Sequence, residues 1–163
     1  MSKKRFWLGY VIGLGLAALL SGFVLYQRVF RPPAISLQTL ELVDLAGQPF
    51  PVAQLAGQPV VLNCWATWCV GCVAEFPDFE QVLHKTPPGV RFLMVSDEPA
   101  AKVAVFRKKH PYPFTFLRLQ HPIEGLNVLP ATYIFDKQGR LLTSRTGQLH
   151  RSELLELLAE ATD

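Results

Sequence analysis

Two cysteines separated by two residues, Cys69 and Cys72, are the side chains of this sequence best suited to chemistry. They follow a mostly apolar run, residues 59–65, which predicts a buried strand, and they open a segment that predicts a helix. At such a junction two thiols can close reversibly into a disulfide. The spacing and the position therefore predict thiol–disulfide exchange as the reaction class.

The predicted helix start gives the two cysteines different roles. A sulfur at the first turn lies over unpaired backbone N–H groups and the positive end of the helix dipole, which favours the thiolate form of Cys69. Cys72 lies one turn further along the helix and deeper. We therefore expect Cys69 to attack a substrate disulfide and Cys72 to resolve the mixed disulfide, with Trp68 as an apolar wall beside the reacting sulfur.

Metal binding is the alternative interpretation of the same pair. A structural zinc ion takes four ligands, and the sequence has no second pair of cysteines at this spacing. The four histidines are not paired at ligand spacing: His84, His110, His121 and His150. The third cysteine, Cys64, falls in the predicted buried strand, where we expect a small hydrophobic role, with a third redox or metal ligand as the alternative. We predict no metal and no cofactor.

The N-terminal segment predicts a membrane anchor. Residues 6–27 carry no charge and would span about 33 Å as a helix, which is enough to cross the core of a lipid bilayer. Lys3, Lys4 and Arg5 precede the segment, so the positive-inside rule keeps the N-terminus cytoplasmic and exports the rest. A cleaved signal peptide is the alternative, but its apolar region is usually only about 7–15 residues long.

Length and composition allow one folded domain besides this anchor. Half of the 163 residues are apolar, and a net charge of only +3 gives no sign of a nucleic-acid partner. We divide the chain into a cytoplasmic tip and anchor at residues 1–30, a linker at residues 31–36, and a domain at residues 37–163. Outside the cytoplasm an oxidising environment makes disulfides of exported proteins the expected substrates.

The remaining pattern predicts an α/β sandwich with a mixed sheet. A small β-hairpin is expected over residues 40–52, followed by alternating strands and helices over residues 60–109. A strand at residues 131–136 should pair with residues 141–146 as a hairpin, and an amphipathic helix over residues 152–162 should close the domain.

Two motifs resemble the TlpA/ResA-type membrane-anchored thioredoxin-like proteins. The first spans residues 60–77 and contains both cysteines, and the second spans residues 129–140. The similarity covers about residues 37–160. It implies a thioredoxin-like fold, in which a mixed central sheet is flanked by helices, with an added N-terminal β-hairpin.

The resemblance also implies roles for three further residues. Pro130 would be the cis-proline beside the dithiol, and Leu129 before it would line the substrate groove. Glu75 would be a buried active-site acid that takes or returns the proton of Cys72, the alternative being a solvent-exposed helical glutamate. Asn63 stands where ordinary thioredoxins carry a buried aspartate, so the proton relay cannot fall to Asn63 itself.

In function, the resemblance implies a thiol–disulfide oxidoreductase at the bacterial inner membrane, with its domain outside the cytoplasm. Such proteins commonly receive electrons from a membrane thiol transporter of the CcdA/DsbD kind and reduce apocytochrome c or other exported proteins. No histidine lies between the two cysteines, which favours a reductase over a strong oxidant. The alternatives are an oxidase or isomerase of exported proteins and, in a different class, a metal-binding or copper-delivery protein.

Overall fold

The computed structural model describes residues 3–30 and 33–162, and the chain divides into two compact units between residues 31 and 32. The first unit is one helix, α1, Lys3–Phe30. Its stretch Trp7–Gln27 is long and apolar enough to cross a membrane, and the described side chains from Trp7 to Tyr26 are exposed. Such a helix is compatible with a signal anchor.

The second unit is built on a six-stranded mixed sheet with the strand order β1-β4-β3-β2-β5-β6. The strands are β1 Leu42–Val43, β2 Val60–Cys64, β3 Arg91–Ser96, β4 Thr115–Leu119, β5 Ala131–Phe135 and β6 Leu141–Thr146. Strands β2, β3 and β4 are parallel, whereas β1, β5 and β6 join their neighbours antiparallel. The α/β class and the mixed central sheet predicted from the sequence are confirmed.

Within residues 33–162 three α-helices accompany the sheet: α2 Val70–Lys85, α3 Ala100–Lys109 and α4 Arg151–Thr162. The buried residues of α2 are spaced three or four apart, so they form one stripe along the helix: Cys72, Glu75, Phe76, Phe79 and Val82. Glu75 is buried because it shares this stripe with two phenylalanines. The packing of α2 thus carries both a cysteine and a carboxyl group into the interior.

The side chains of β2 alternate between two separate cores, because successive residues of a strand point to opposite faces. Val61 belongs to the core under α2, while Leu62 and Cys64 belong to the core on the other face. Aromatic rings fill the α2 side: the Trp65 ring centroid lies 5.1 Å from that of Phe76. This packing fixes α2 against the sheet.

The predicted hairpin over residues 40–52 is short. The N–H of Phe50 donates to the carbonyl of Leu42, and Val43 forms a single bridge with Pro49. The returning limb then turns into a 3₁₀ helix at Val52–Leu55. Prolines at 49 and 51 lack the N–H groups that a longer ladder requires, so β1 extends the main sheet by pairing with β4.

Candidate functional site

A disulfide joins Cys69 and Cys72 at the N-terminus of α2, with a Cα–Cα distance of 5.3 Å. Cys69 is the N-cap residue, and its Sγ accepts the N–H of Cys72 at 3.2 Å. Cys69 is 8% exposed and Cys72 is 0% exposed. The helix start and the deeper position of the second sulfur are as the sequence predicted.

Three further residues named from the sequence lie around this disulfide. Trp68 is 69% exposed and precedes Cys69 directly. The Leu129–Pro130 peptide bond is cis, as the resemblance implied. A Cβ atom placed on Gly71 would lie 3.8 Å from Cδ of Pro130, so the proline packs against the first turn of α2.

A pocket of about 240 Å³ lies between Trp68 and Leu129. Its lining is mostly apolar and includes two polar side chains, Asp97 and Asn127. The structure therefore brings together the first cysteine of the disulfide, an exposed aromatic ring and a pocket suited to an apolar side chain.

Glu75 is 0% exposed, and both of its carboxyl oxygens accept hydrogen bonds. Oε1 accepts from Nδ2 of Asn63 at 2.7 Å, and Oε2 accepts from the backbone N–H of Leu149 at 2.9 Å. Burial raises the pKa of Glu75 to about 7, because removing a carboxylate from water penalises its charge more than the two hydrogen bonds stabilise it. The structure therefore buries Glu75, against the alternative of a solvent-exposed helical glutamate.

The placement of Glu75 suits proton transfer to and from the dithiol. Glu75 follows Cys72 by three residues on the buried stripe of α2. A carboxyl group with a pKa near 7 is present in both protonation states near neutral pH, so it can accept a proton and return it.

Glu98 is a site residue that the sequence analysis missed. Its carboxylate accepts the backbone N–H of Thr67 at 2.5 Å and the hydroxyl of Thr67 at 3.0 Å. These bonds hold the loop that joins β2 to Cys69. The strands β2 and β3 are parallel neighbours and end at the same edge of the sheet. The position of Glu98 just after β3 could therefore have indicated that its carboxyl group lies close to the loop after β2.

Cys64 belongs to the apolar core on the opposite face of the sheet from Cys72, and it also lines the pocket between Trp68 and Leu129. Burial raises its pKa to about 12, which keeps the thiol protonated. Its predicted burial is confirmed. Among the described residues no three His, Cys, Asp or Glu side chains lie close enough together to hold a metal ion.

A sheet of this order, with a disulfide at the N-terminus of the helix that follows β2, places the chain among the thioredoxin-fold thiol–disulfide oxidoreductases. These enzymes act on disulfide-bearing substrates. More narrowly, the chain belongs to the AhpC/TSA family, whose model matches residues 33–144.

Relatives named as thiol-disulfide oxidoreductases agree with this assignment. Thiol-disulfide oxidoreductase ResA of Halalkalibacterium halodurans is 26% identical over 170 residues, which cover 96% of each chain. ResA of Geobacillus kaustophilus is 30% identical over 145 residues, covering 82% of this chain and 83% of that protein. The TlpA/ResA-type resemblance is confirmed.

Solved structures agree in fold. A secreted disulfide oxidoreductase of Mycobacterium tuberculosis, homologous to Escherichia coli DsbE, is 27% identical. The match covers 76% of this chain and 96% of that one, with a TM-score of 0.60. A putative thiol:disulfide interchange protein DsbE from Chlorobium tepidum gives a TM-score of 0.68 at 22% identity, covering 80% and 97% of the two chains.

Proposed function

We propose that this chain is a membrane-anchored, extracytoplasmic oxidoreductase that reduces disulfides of exported proteins through Cys69 and Cys72. The observation that carries the proposal is the pairing of a cysteine at a helix N-terminus, 8% exposed, with a fully buried second cysteine and the buried carboxyl group of Glu75. The first sulfur can meet a substrate, while the other two groups complete the exchange out of contact with water.

The first half of the reaction forms a mixed disulfide. The Cys69 thiolate attacks one sulfur of the substrate disulfide, the bond from Cys69 Sγ to that sulfur forms, and the substrate S–S bond breaks. The other substrate sulfur leaves as a thiolate and takes a proton from water. Trp68, Leu129 and Pro130 would contact the polypeptide on either side of the substrate cysteine.

The second half releases the reduced substrate. Cys72 gives its proton to the Glu75 carboxylate and attacks Cys69 Sγ, so that the Cys69–Cys72 disulfide forms and the mixed disulfide breaks. The second substrate sulfur leaves as a thiolate and receives that proton from Glu75. Two electrons have then passed from the dithiol to the substrate disulfide.

The N-terminal segment supplies the location in this proposal. Residues 1–30 would form the cytoplasmic tip and the anchor, residues 31–36 a linker, and residues 37–163 the redox domain outside the inner membrane. The uncharged helix and the basic residues before it support this orientation. A membrane thiol transporter of the CcdA/DsbD kind would reduce the disulfide again, and apocytochrome c is one candidate substrate.

The direction of electron flow is tested by the reduction potential of the Cys69–Cys72 pair. The full-length chain in detergent, with Cys64→Ala, is equilibrated in thiol/disulfide buffers and followed by the fluorescence of Trp68 and Trp65. A potential near or below about −230 mV is expected for a reductase. A potential near about −120 mV would make the protein an oxidant of exported proteins and overturn the proposed direction.

The location is tested with reporters fused after Asp163. A reporter that is active only outside the cytoplasm is expected to be active, and a reporter active only in the cytoplasm is expected to be silent. The reverse pattern would place the domain in the cytoplasm and remove exported proteins as substrates.

A further inference from the structure

Glu75 belongs to a small buried network that the reaction described above leaves unexplained. Asn63 is fully buried at the centre of the sheet, where its register partner on β5 is Thr132. One N–H of the Asn63 amide donates to Glu75 Oε1 at 2.7 Å, and Nδ2 also donates to Oγ1 of Thr132 at 3.0 Å. The amide oxygen, Oδ1, is buried without a hydrogen-bond partner.

This arrangement matches an ionised carboxylate. Both oxygens of Glu75 face N–H donors, one from Asn63 and one from Leu149, and an ionised carboxylate is purely an acceptor. Once Glu75 takes up a proton on Oε1, its O–H points at another donor. A half-turn of the Asn63 amide removes the conflict at Oε1, because it exchanges Nδ2 for the oxygen that has no partner; the NH2 group then takes the position that Oδ1 had occupied.

The hydroxyl of Thr132 permits the same half-turn. A threonine hydroxyl both donates and accepts, so it accepts from Nδ2 in one orientation and donates to Oδ1 in the other. Each protonation state of Glu75 therefore has its own orientation of Asn63 in which Glu75 and Thr132 are both satisfied.

We propose that Asn63 is a positioning residue for the proton of Cys72, donating to Glu75 while the carboxylate is ionised and, turned over, accepting from Glu75 after proton uptake. The proposal rests on the proposed role of Glu75 as the acid of the exchange. It gives Asn63, which has no proton of its own to relay, a defined part in the proton transfer.

The elements around Glu75 also carry other titratable groups, and these form contacts of their own. Asp78 of α2 faces the surface and lies 3.8 Å from His150, which precedes α4. Arg145 of β6 pairs with Glu153 of α4 at 3.6 Å, and both are partly exposed. The titratable groups of β2 and β5 belong to the opposite core: Cys64 and Tyr133. Burial and the hydrogen bonds from Leu149 and Asn63 are the influences on the pKa of Glu75.

The test uses the fact that the sequence has only two asparagines, Asn63 and Asn127. The full-length oxidised chain is labelled with ¹⁵N-asparagine in detergent micelles, and the two side-chain amide signals are followed by NMR between pH 5 and 9. The Asn63 pair is expected to shift with a midpoint near pH 7, while exposed Asn127 stays constant. The Asn63 shift should vanish in Glu75→Gln and persist in His150→Gln.

Variants then link the amide to the exchange reaction. Asn63→Leu keeps the shape of the side chain but removes its hydrogen bonds, so the midpoint of the pH–rate profile is expected to rise by about one unit. Thr132→Val is expected to raise the midpoint by less, and Thr132→Ser, which keeps the hydroxyl, should retain the wild-type midpoint. If Asn63→Leu does not fold, the comparison of Thr132→Val with Thr132→Ser and the NMR titration still test the role of Asn63.

Two results would overturn the proposal. One is an Asn63 amide signal that stays constant while the Glu75 carboxyl signal titrates. The other is a wild-type midpoint in both Asn63→Leu and Thr132→Val, since a merely structural role lowers the amount of folded protein without moving a midpoint. A rate profile that is insensitive to Glu75→Gln, together with a titrating Asn63 signal, would instead refute the role of Glu75 in the exchange.

Discussion

The two faces of β2 hold cysteines in opposite chemical settings. On the α2 face, Cys72 shares a buried stripe with Glu75, whose two carboxyl oxygens accept hydrogen bonds. On the other face, Cys64 lies in an apolar core with Tyr133, whose buried hydroxyl has no hydrogen-bond partner in the described part of the chain.

The difference shows that the surroundings of a thiol decide its chemistry. A helix N-terminus beside Cys69 favours the thiolate, and in the proposed mechanism the buried carboxyl group of Glu75 supplies a place for the proton of Cys72. Burial without such partners raises the pKa of Cys64 to about 12 and leaves the third thiol a small hydrophobic group. The two faces of one strand can thus border a redox pair on one side and a packed core on the other.

The largest expected effect is on the rate of disulfide reduction, and it distinguishes Cys69 from Cys64. Cys69→Ser should lower the rate of insulin-type disulfide reduction to the uncatalysed background, because it removes the attacking sulfur. Cys64→Ala is the matched control and should keep the wild-type rate. Loss of activity in Cys64→Ala, with the fold intact by circular dichroism, would show that the two faces are not chemically separate.

The next effect is the pH dependence of stability that Glu75 imposes. Its pKa is about 7 in the folded protein against an ordinary value of 4.5, so the folded state binds more protons between these pH values. The free energy of unfolding should fall as pH rises from about 4.5 to about 7, by up to about 3 kcal/mol, and stay level above. Urea denaturation of the oxidised chain at several pH values measures this fall. Glu75→Gln should lack it, and an equal slope in both proteins would contradict the assignment.

A smaller effect on the free energy of unfolding is expected from Tyr133, on the face of the sheet opposite α2. Tyr133→Phe removes a buried hydroxyl that has no partner, so it should raise the free energy of unfolding by up to about 1 kcal/mol. Thermal denaturation at constant pH measures the change, and the reduction rate of the variant should equal that of the wild type. A loss of more than about 1 kcal/mol would show that the hydroxyl has a partner, such as a buried water.

The smallest expected effect on the free energy of unfolding comes from Gly71, which lies between the two cysteines and beside Pro130. Gly71→Ala should stabilise the oxidised chain by about 0.5–1 kcal/mol, because alanine loses less conformational freedom than glycine in a helix. The new methyl group would meet Pro130 at an ordinary contact distance of 3.8 Å. Denaturant titration tests this, and a destabilised variant would mean that the first turn of α2 tolerates no side chain against the proline.

Much of this site could be predicted from local pattern. The strand and helix that flank Cys69 follow from an apolar run and a change of periodicity. The burial of Glu75 follows from its phase, since it lies between Cys72 and Phe79 on one stripe of α2. The second strand of the predicted hairpin was less predictable. The alternation of apolar residues favours a strand there, but its prolines lack the N–H groups that pairing requires.

Partners of Glu75 that come from distant parts of the chain could not be predicted. Thr132 meets Asn63 only through the register of β2 and β5, and a slip of one residue would turn Thr132 to the other face. The bond from Leu149 depends on where the chain enters α4. No local pattern in the sequence encodes either contact.

The hydrogen bond from Leu149 to Glu75 spans 74 positions of the chain and has a consequence for biosynthesis. All three cysteines emerge from the ribosome well before residue 149, so the nascent chain carries its thiols before the acid acquires its C-terminal donor. A chain truncated before α4 would keep the Cys69–Cys72 pair but lack the complete proton site. If Glu75 has its proposed role, full competence for exchange requires residue 149 and therefore waits until nearly the whole chain has been made.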